Sequence, residues 1–213
     1  MEIWSDVVCP WFYIGKRRFE EALTRLAAKG IDEPIEVRYR SYQLDPRAPT
    51  THGTPVVDAY AKKFGGRERA EQILAHLTDV ARQDGLSFRF DIATRANTLL
   101  AHRVLHWALE THGAAAQSAA KELMLAGYFT RGLDVSDAQV LRNLCIEAQL
   151  DVGTLDGWLD AGSGMDEVEN DIRDAAEREI TAVPSYVIND QFLIPGAQDA
   201  ALFEQVLGKI LTR

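Results

Sequence analysis

The sequence predicts an α/β fold, and three observations carry that expectation. A strand, helix, strand unit opens the chain; a strand, strand, helix unit closes it; and a long stretch of helical pattern separates the two. The expected organisation is therefore one fold in three parts: residues 1–50, a helical insertion at 51–179, and residues 180–213.

Residues 1–5 lean apolar, and 35–44 (IEVRYRSYQL) alternate apolar and polar side chains with β-branched and aromatic residues, as a half-buried strand does. Between them, residues 11–29 carry Phe12, Ile14, Phe19, Leu23 and Leu26 mostly at helical spacing, with Pro10 suited to the first turn and Gly30 to the stop. Residues 45–55 (DPRAPTTHGTP) read as a connection. Helical patterns follow at 56–64, 66–85, 96–112, 114–128, 136–149, 151–161 and 164–179, with Asn97 and Ser136 as expected N-caps. No period of about 20 to 50 residues repeats, so a solenoid is not supported. Two short strands at 185–189 and 191–194 flank the turn Asn189-Asp190, and 199–211 close the chain as an amphipathic helix.

At 213 residues the chain is long enough for one sizeable core or one domain with a large insertion. Its formal charge of -9 opposes the attraction that drives nucleic-acid binding. The basic cluster Lys16, Arg17, Arg18 is too short to change that and reads as a solvated helix face. Apolar runs fall well short of the roughly 20 residues of a membrane span, and residues 1–20 lack a signal-peptide pattern, so a cytoplasmic address is expected. Two cysteines, Cys9 and Cys145, are too few for a disulfide-stapled scaffold.

Cys9 stands where the second predicted element begins. A thiolate is the form that attacks a disulfide, and backbone amides and the positive end of a helix dipole stabilise it. Pro10 has no N–H to give but fixes φ for the first turn, leaving the amides of Trp11 and Phe12 as the nearest donors. A lowered thiol pKa is expected. Cys145 lies among leucines at helical spacing and reads as core. Trp11 is expected at the surface beside the thiol, and Trp4, Trp107 and Trp158 in the core. His102, His106 and Glu110 share one helix face, but the pattern lacks the Glu of H-E-x-x-H and a further ligand, so no metal site is expected. The acidic run at 166–179 reads as a solvated helix face.

Three separated stretches, "SDVVCPW" with "YIGKRR" behind it, "RANTLLAHRVLHWA" and "ITAVPSYVINDQFLIPGAQ", together resemble the DsbA-like thioredoxin-fold oxidoreductases, in particular their FrnE-like branch. The resemblance implies a thioredoxin fold (βαβ…ββα) with a large all-helical insertion. It also implies a cis peptide bond at Val183-Pro184, with Val183 as the docking residue for an extended peptide or glutathione. Asn97 and His102 are then expected to line the cleft over Cys9. The family normally shows CPWC at the first site, where this sequence has Cys9-Pro10-Trp11-Phe12. The second thiol, which hydrogen-bonds the first and releases the mixed disulfide, is therefore missing.

The expected activity is that of a monothiol acting through Cys9 on protein or low-molecular-weight disulfides or on glutathione mixed disulfides. No cofactor is expected to stay bound, glutathione would serve as co-substrate, and a homodimer is left open. Two alternatives keep the fold. One is a glutathione-dependent enzyme like the 2-hydroxychromene-2-carboxylate isomerases or kappa-class glutathione transferases, which typically carry serine at the Cys9 position. The other is a non-catalytic protein that binds a peptide or small molecule.

Overall fold

The computed structural model describes residues 1–51 and 53–212. His52, in the expected connection, and Arg213, in the expected C-terminal part, lie outside the described residues. The sheet is mixed and four-stranded, in the order β2-β1-β3-β4. Strand β1 (Glu2–Ser5) lies at its centre, parallel to β2 (Arg38–Ser41) and antiparallel to β3 (Ser185–Ile188). Strand β4 (Phe192–Pro195) forms the far edge, paired antiparallel with β3. Asn189 and Asp190 between them sit at φ 51° and 55°, the two positive values a type I′ hairpin turn requires.

Helix α1 (Pro10–Ala27) crosses from β1 to β2 and packs on the closing helix α9 (Ala200–Leu211). Among the described residues seven helices run between β2 and β3: α2 (Val56–Phe64), α3 (Arg67–Gln83), α4 (Leu99–His112), α5 (Ala114–Arg131), α6 (Ala138–Glu147), α7 (Leu155–Asp160) and α8 (Met165–Glu177). This is the thioredoxin arrangement with a helical insertion. Among the described residues no helix is long and apolar enough to cross a membrane.

Several boundaries differ from the sequence expectation for identifiable reasons. Strand β2 is much shorter than 35–44, because past Ser41 the backbone pairs with side chains: Tyr42 O contacts His102 Nε2 at 3.1 Å, and Leu44 N–H donates to Asp6 Oδ2 at 2.8 Å. Helix α4 starts at Leu99 with Thr98 as its cap residue, and Asn97 sits one place outside. Helix α6 is capped by Asp137, whose carboxylate accepts from Val140 N–H at 2.9 Å, while the Ser136 hydroxyl turns away to Thr50 O at 3.0 Å. Helix α7 covers only part of 151–161.

The insertion meets the sheet through side chains that imitate backbone. Buried Gln117 of α5 accepts from Tyr39 N–H at 2.8 Å and donates to Tyr39 O at 2.9 Å, pairing β2 as a neighbouring strand would. Asp171 of α8 accepts from Ser41 N–H at 2.7 Å and from Arg40 at 2.8 Å, its Oδ2 lies 3.0 Å from His106 Nε2, and its own carbonyl accepts from Trp4 Nε1 at 2.9 Å. Burial alone would raise the Asp171 carboxyl; hydrogen bonds from His106 and the Ser41 amide overcome it and hold the group below its ordinary value. His106 therefore serves a structural network, and with Asp171 buried the acidic run is solvated on one side only. Trp4 and Trp107 are fully buried as expected, and Trp158 is partly so.

The basic cluster is not the solvated face its composition suggests. Lys16 is buried and pairs with Glu20 and with Glu122 of α5; Arg17 also pairs with Glu122, and Arg18 with Asp84 at 3.0 Å. Burial pushes the Glu122 carboxyl up, but hydrogen bonds and charge from Arg17 and Lys16 prevail and bring it to about 2. Allowing for its partial exposure, Glu122→Gln is expected to cost about 2 kcal/mol at pH 7. A carboxyl held below its ordinary value of 4.5 stabilises the fold above pH 4.5 and loses that contribution as pH falls toward 2. Thermal melts of the two proteins should therefore converge across that window; a gap independent of pH would exclude the ionic origin.

Candidate active site around Cys9

Cys9 is the N-cap residue of α1, in extended conformation (φ -86°, ψ 109°), with Pro10 in the first turn. Its carbonyl accepts from Phe12 N–H at 3.1 Å and from Tyr13 N–H at 3.3 Å, so the helix is launched from the cysteine itself. The sulfur points across to the segment before β3, where the Cys9 thiol donates to Val183 O at 3.5 Å. The Val183-Pro184 peptide bond is cis. Two stretches over 170 residues apart thus meet at one sulfur.

Trp11 is 39 % exposed beside the thiol, whereas Phe12 is fully buried. The Phe12 ring meets Tyr39 edge-on at 5.7 Å, and the Lys121 ammonium nitrogen sits 4.9 Å from its centroid. The position of the missing second thiol is therefore a packed part of the core beneath α1.

The expected lowering of the Cys9 pKa is overturned. Only 3 % of the residue is exposed, and burial pushes the thiol from 9.0 up to about 12. The Phe12 and Trp11 amides do act in the lowering direction, as the helix-start argument requires, and so does the Lys121 charge; Asp6 acts against them, and burial outweighs all three favourable influences.

Beneath the thiol lies a buried set of ionisable groups. Asp6 Oδ1 is 3.4 Å from His102 Nε2. Burial pushes the His102 imidazole below its ordinary value against the pull of Asp6. Lys121, contributed by α5, is fully buried and its Nζ has no hydrogen-bond partner among the described residues. Burial brings its ammonium down from 10.5 to about 7, although Asp6 and Cys9 both act to raise it. Nothing in the local sequence marks Lys121, since a single lysine in an amphipathic helix normally faces solvent.

Above the thiol an open groove of about 460 Å³ is lined by Cys9, Pro10, Trp11 and Val183 from the sheet side, and by α2 and α3 from the insertion. Tyr60, Phe64, Ile73 and Leu77 make its helical wall apolar; Gln72 and His76 are its polar side chains. The wall residues pair at i, i+4 in each helix, a signal that marks an apolar face without saying what it covers.

Asn97 and His102 do not line this groove. The Asn97 side chain donates to Pro46 O at 3.1 Å and Ala48 O at 3.2 Å and accepts from Leu99 N–H at 2.9 Å, clamping the 45–49 connection to the start of α4. His102 is buried with its Nε2 between Asp6 and Tyr42 O. Cys145 is a fully buried free thiol on α6, whose packing partners are α5 and α4, and burial raises it to about 12.

A thiol at the head of the first helix, facing the residue before a cis-proline at the start of β3, defines a thioredoxin-fold thiol protein. Residues 1–208 match the DSBA-like thioredoxin domain, and the chain belongs to that family. It is 27% identical over 209 residues to the uncharacterized protein YwbO of Bacillus subtilis, covering 97% of this chain and 94% of that protein. A probable DsbA oxidoreductase from Streptomyces coelicolor superimposes with a TM-score of 0.88 at 32% identity, over 100% of this chain and 89% of the other. The cytosolic disulfide reductase DsbM of Pseudomonas aeruginosa shares the fold, with a TM-score of 0.70 at 14% identity over 99% and 98% of the two chains.

In the folded protein, iodoacetamide should alkylate Cys9 slowly at pH 7.5, with a rate that climbs past pH 9 without levelling off. Unfolding in urea should restore the profile of a free thiol near pH 8.5. A plateau below pH 8 for the Cys9 peptide would contradict the dominance of burial.

Proposed function

We propose that the protein is a thiol-disulfide exchange enzyme working as a monothiol through Cys9, with reductase or isomerase rather than oxidase character. The observation that carries this reading is the Cys9 sulfur at the floor of an open groove, with the position of a second thiol occupied by buried Phe12. In the first step the Cys9 thiol gives up its proton and bonds to one sulfur of a substrate disulfide; the other sulfur leaves and takes a proton. In the second step an external thiol, or the substrate's own second thiol, attacks the mixed disulfide and returns Cys9 to the thiol form. With glutathione as the external thiol, a further glutathione completes the reduction.

Burial of the Cys9 thiol bears on both steps, leaving less thiolate to attack a disulfide and making that thiolate a poorer leaving group. A strong dithiol oxidant needs a stabilised thiolate as its leaving group, and a basic thiol is a poor one. Burial of Cys9 therefore favours retaining an adduct until a second thiol resolves it, and the protein should substitute poorly for a dithiol oxidase. The groove favours disulfides flanked by apolar groups, because its walls offer few partners for charged ones.

A glutathione-dependent isomerase is the second reading, favoured by the same replacement at Phe12, since such chemistry needs a single residue at the helix start. A cytoplasmic location suits either reading.

Incubation with oxidised glutathione should add one glutathione at Cys9 that dithiothreitol removes, and Cys9→Ser should abolish it. An adduct only at Cys145, or none after prolonged incubation at pH 9, would sink the proposal. Phe12→Cys should gain dithiol oxidase activity while losing about 3 kcal/mol of stability for the deleted ring. Turnover of a chromene carboxylate only with glutathione present would select the isomerase.

A further inference from the structure

A second cavity, of about 590 Å³, lies on the other side of the wall formed by Leu44 and Tyr60, which line both it and the Cys9 groove. Its lining differs in kind from that of the groove. Phe90, Tyr128 and Phe129 border it as buried aromatic residues packed on one another, with Phe129 stacked on Phe88 at 4.6 Å, and the more exposed Leu44 and Tyr60 complete its apolar lining.

Four cationic side chains line the same cavity: Arg47, Lys62, Lys63 and Arg95. They come from three segments, the connection after β2, the last turn of α2 and the stretch before α4. Lysines at the end of a helix are ordinary, and Arg95 holds the connection by donating to Arg47 O at 3.1 Å, but Arg47 has no such explanation. One carboxylate, Asp45, faces them and is taken by Arg95 at 2.7 Å. Arg47, Lys62 and Lys63 make no ion pair among the described residues. Four cations against one carboxylate leave an excess of three positive charges on a chain whose formal net charge is -9.

We infer that this cavity binds a small aromatic anion, a carboxylate or similar acid on a one- or two-ring body, with its rings against the apolar lining and its charge among Arg47, Lys62 and Lys63. The volume lies within the range of small-molecule sites, and the pairing of an apolar lining with a few convergent charges is how such sites orient a ligand. Tyr60 would report occupancy to the Cys9 groove, since its side chain belongs to both cavities.

The probe is 2-naphthoate, titrated calorimetrically into the full chain beside its neutral counterpart 2-naphthalenemethanol. One-site binding with a Kd below about 1 mM is expected for the anion, and binding at least about tenfold weaker for the alcohol. The double variant Arg47→Met, Lys62→Met, both at exposed positions, should weaken 2-naphthoate about tenfold with an unchanged melting temperature. Trp11→Ala, on the wall of the Cys9 groove only, and Cys9→Ser should leave it unchanged, so the result stands whether or not Cys9 exchanges disulfides. No saturable binding up to about 5 mM, equal affinity for acid and alcohol, or a loss on Trp11→Ala matching that of the double variant would each overturn the inference.

Discussion

Asp171 is the carboxylate on which the rest of the molecule turns. It is almost fully buried on the last helix of the insertion, yet its partners belong to the sheet and to α4: the Ser41 amide and Arg40 of β2, the His106 ring, and Trp4 of β1 through the Asp171 carbonyl. An unpaired buried carboxylate would be costly, so the position is tolerable only when all these partners are in place. The same contacts fix the insertion relative to β1 and β2.

Under the Cys9 groove two opposing demands meet. The start of a helix is a good place to make a thiolate, and the amides of Trp11 and Phe12 act on Cys9 as that rule requires. The same residue is nearly excluded from water, and desolvation of a charge in an apolar setting outweighs two amides and a distant ammonium. Phe12 contributes to this balance. It fills space that a second thiol would leave open, and the buried Lys121 ammonium nitrogen, without a hydrogen-bonding partner among the described residues, lies 4.9 Å from its ring centroid.

Much of the architecture was legible before any coordinates. The positions of β1, α1, β3, β4 and α9 follow from periodicity, and the meeting of Cys9 with Val183-Pro184 follows from two motifs read together. What escaped the sequence was set by packing. Whether the Cys9 thiol is easily ionised depends on how far water is excluded from it, and its surroundings include the cis-proline segment and the α2–α3 wall, which lie far from it in sequence. Asn97 looked like a cap because its spacing to the α4 pattern is that of one, and it does hold an amide of the first turn; its second function, clamping carbonyls near residue 47, depends on where the connection runs. Tyr60 and Phe64 were visible as an apolar face, but a face has no sequence mark for the cavity it bounds. Lys16 looked solvated because its partner Glu122 is 106 residues away.

The side-chain pairing at β2 has a consequence for how this sheet can meet another molecule. Gln117 satisfies both outward backbone groups of Tyr39, and Asp171 takes the amide of Ser41, so the β2 margin presents no free ladder to an incoming strand. The opposite margin is β4, where Phe192 and Leu193 are 37% and 49% exposed. A second chain that extends this sheet by strand addition can therefore do so from one side only, which gives any such assembly a handedness and limits it to a pair.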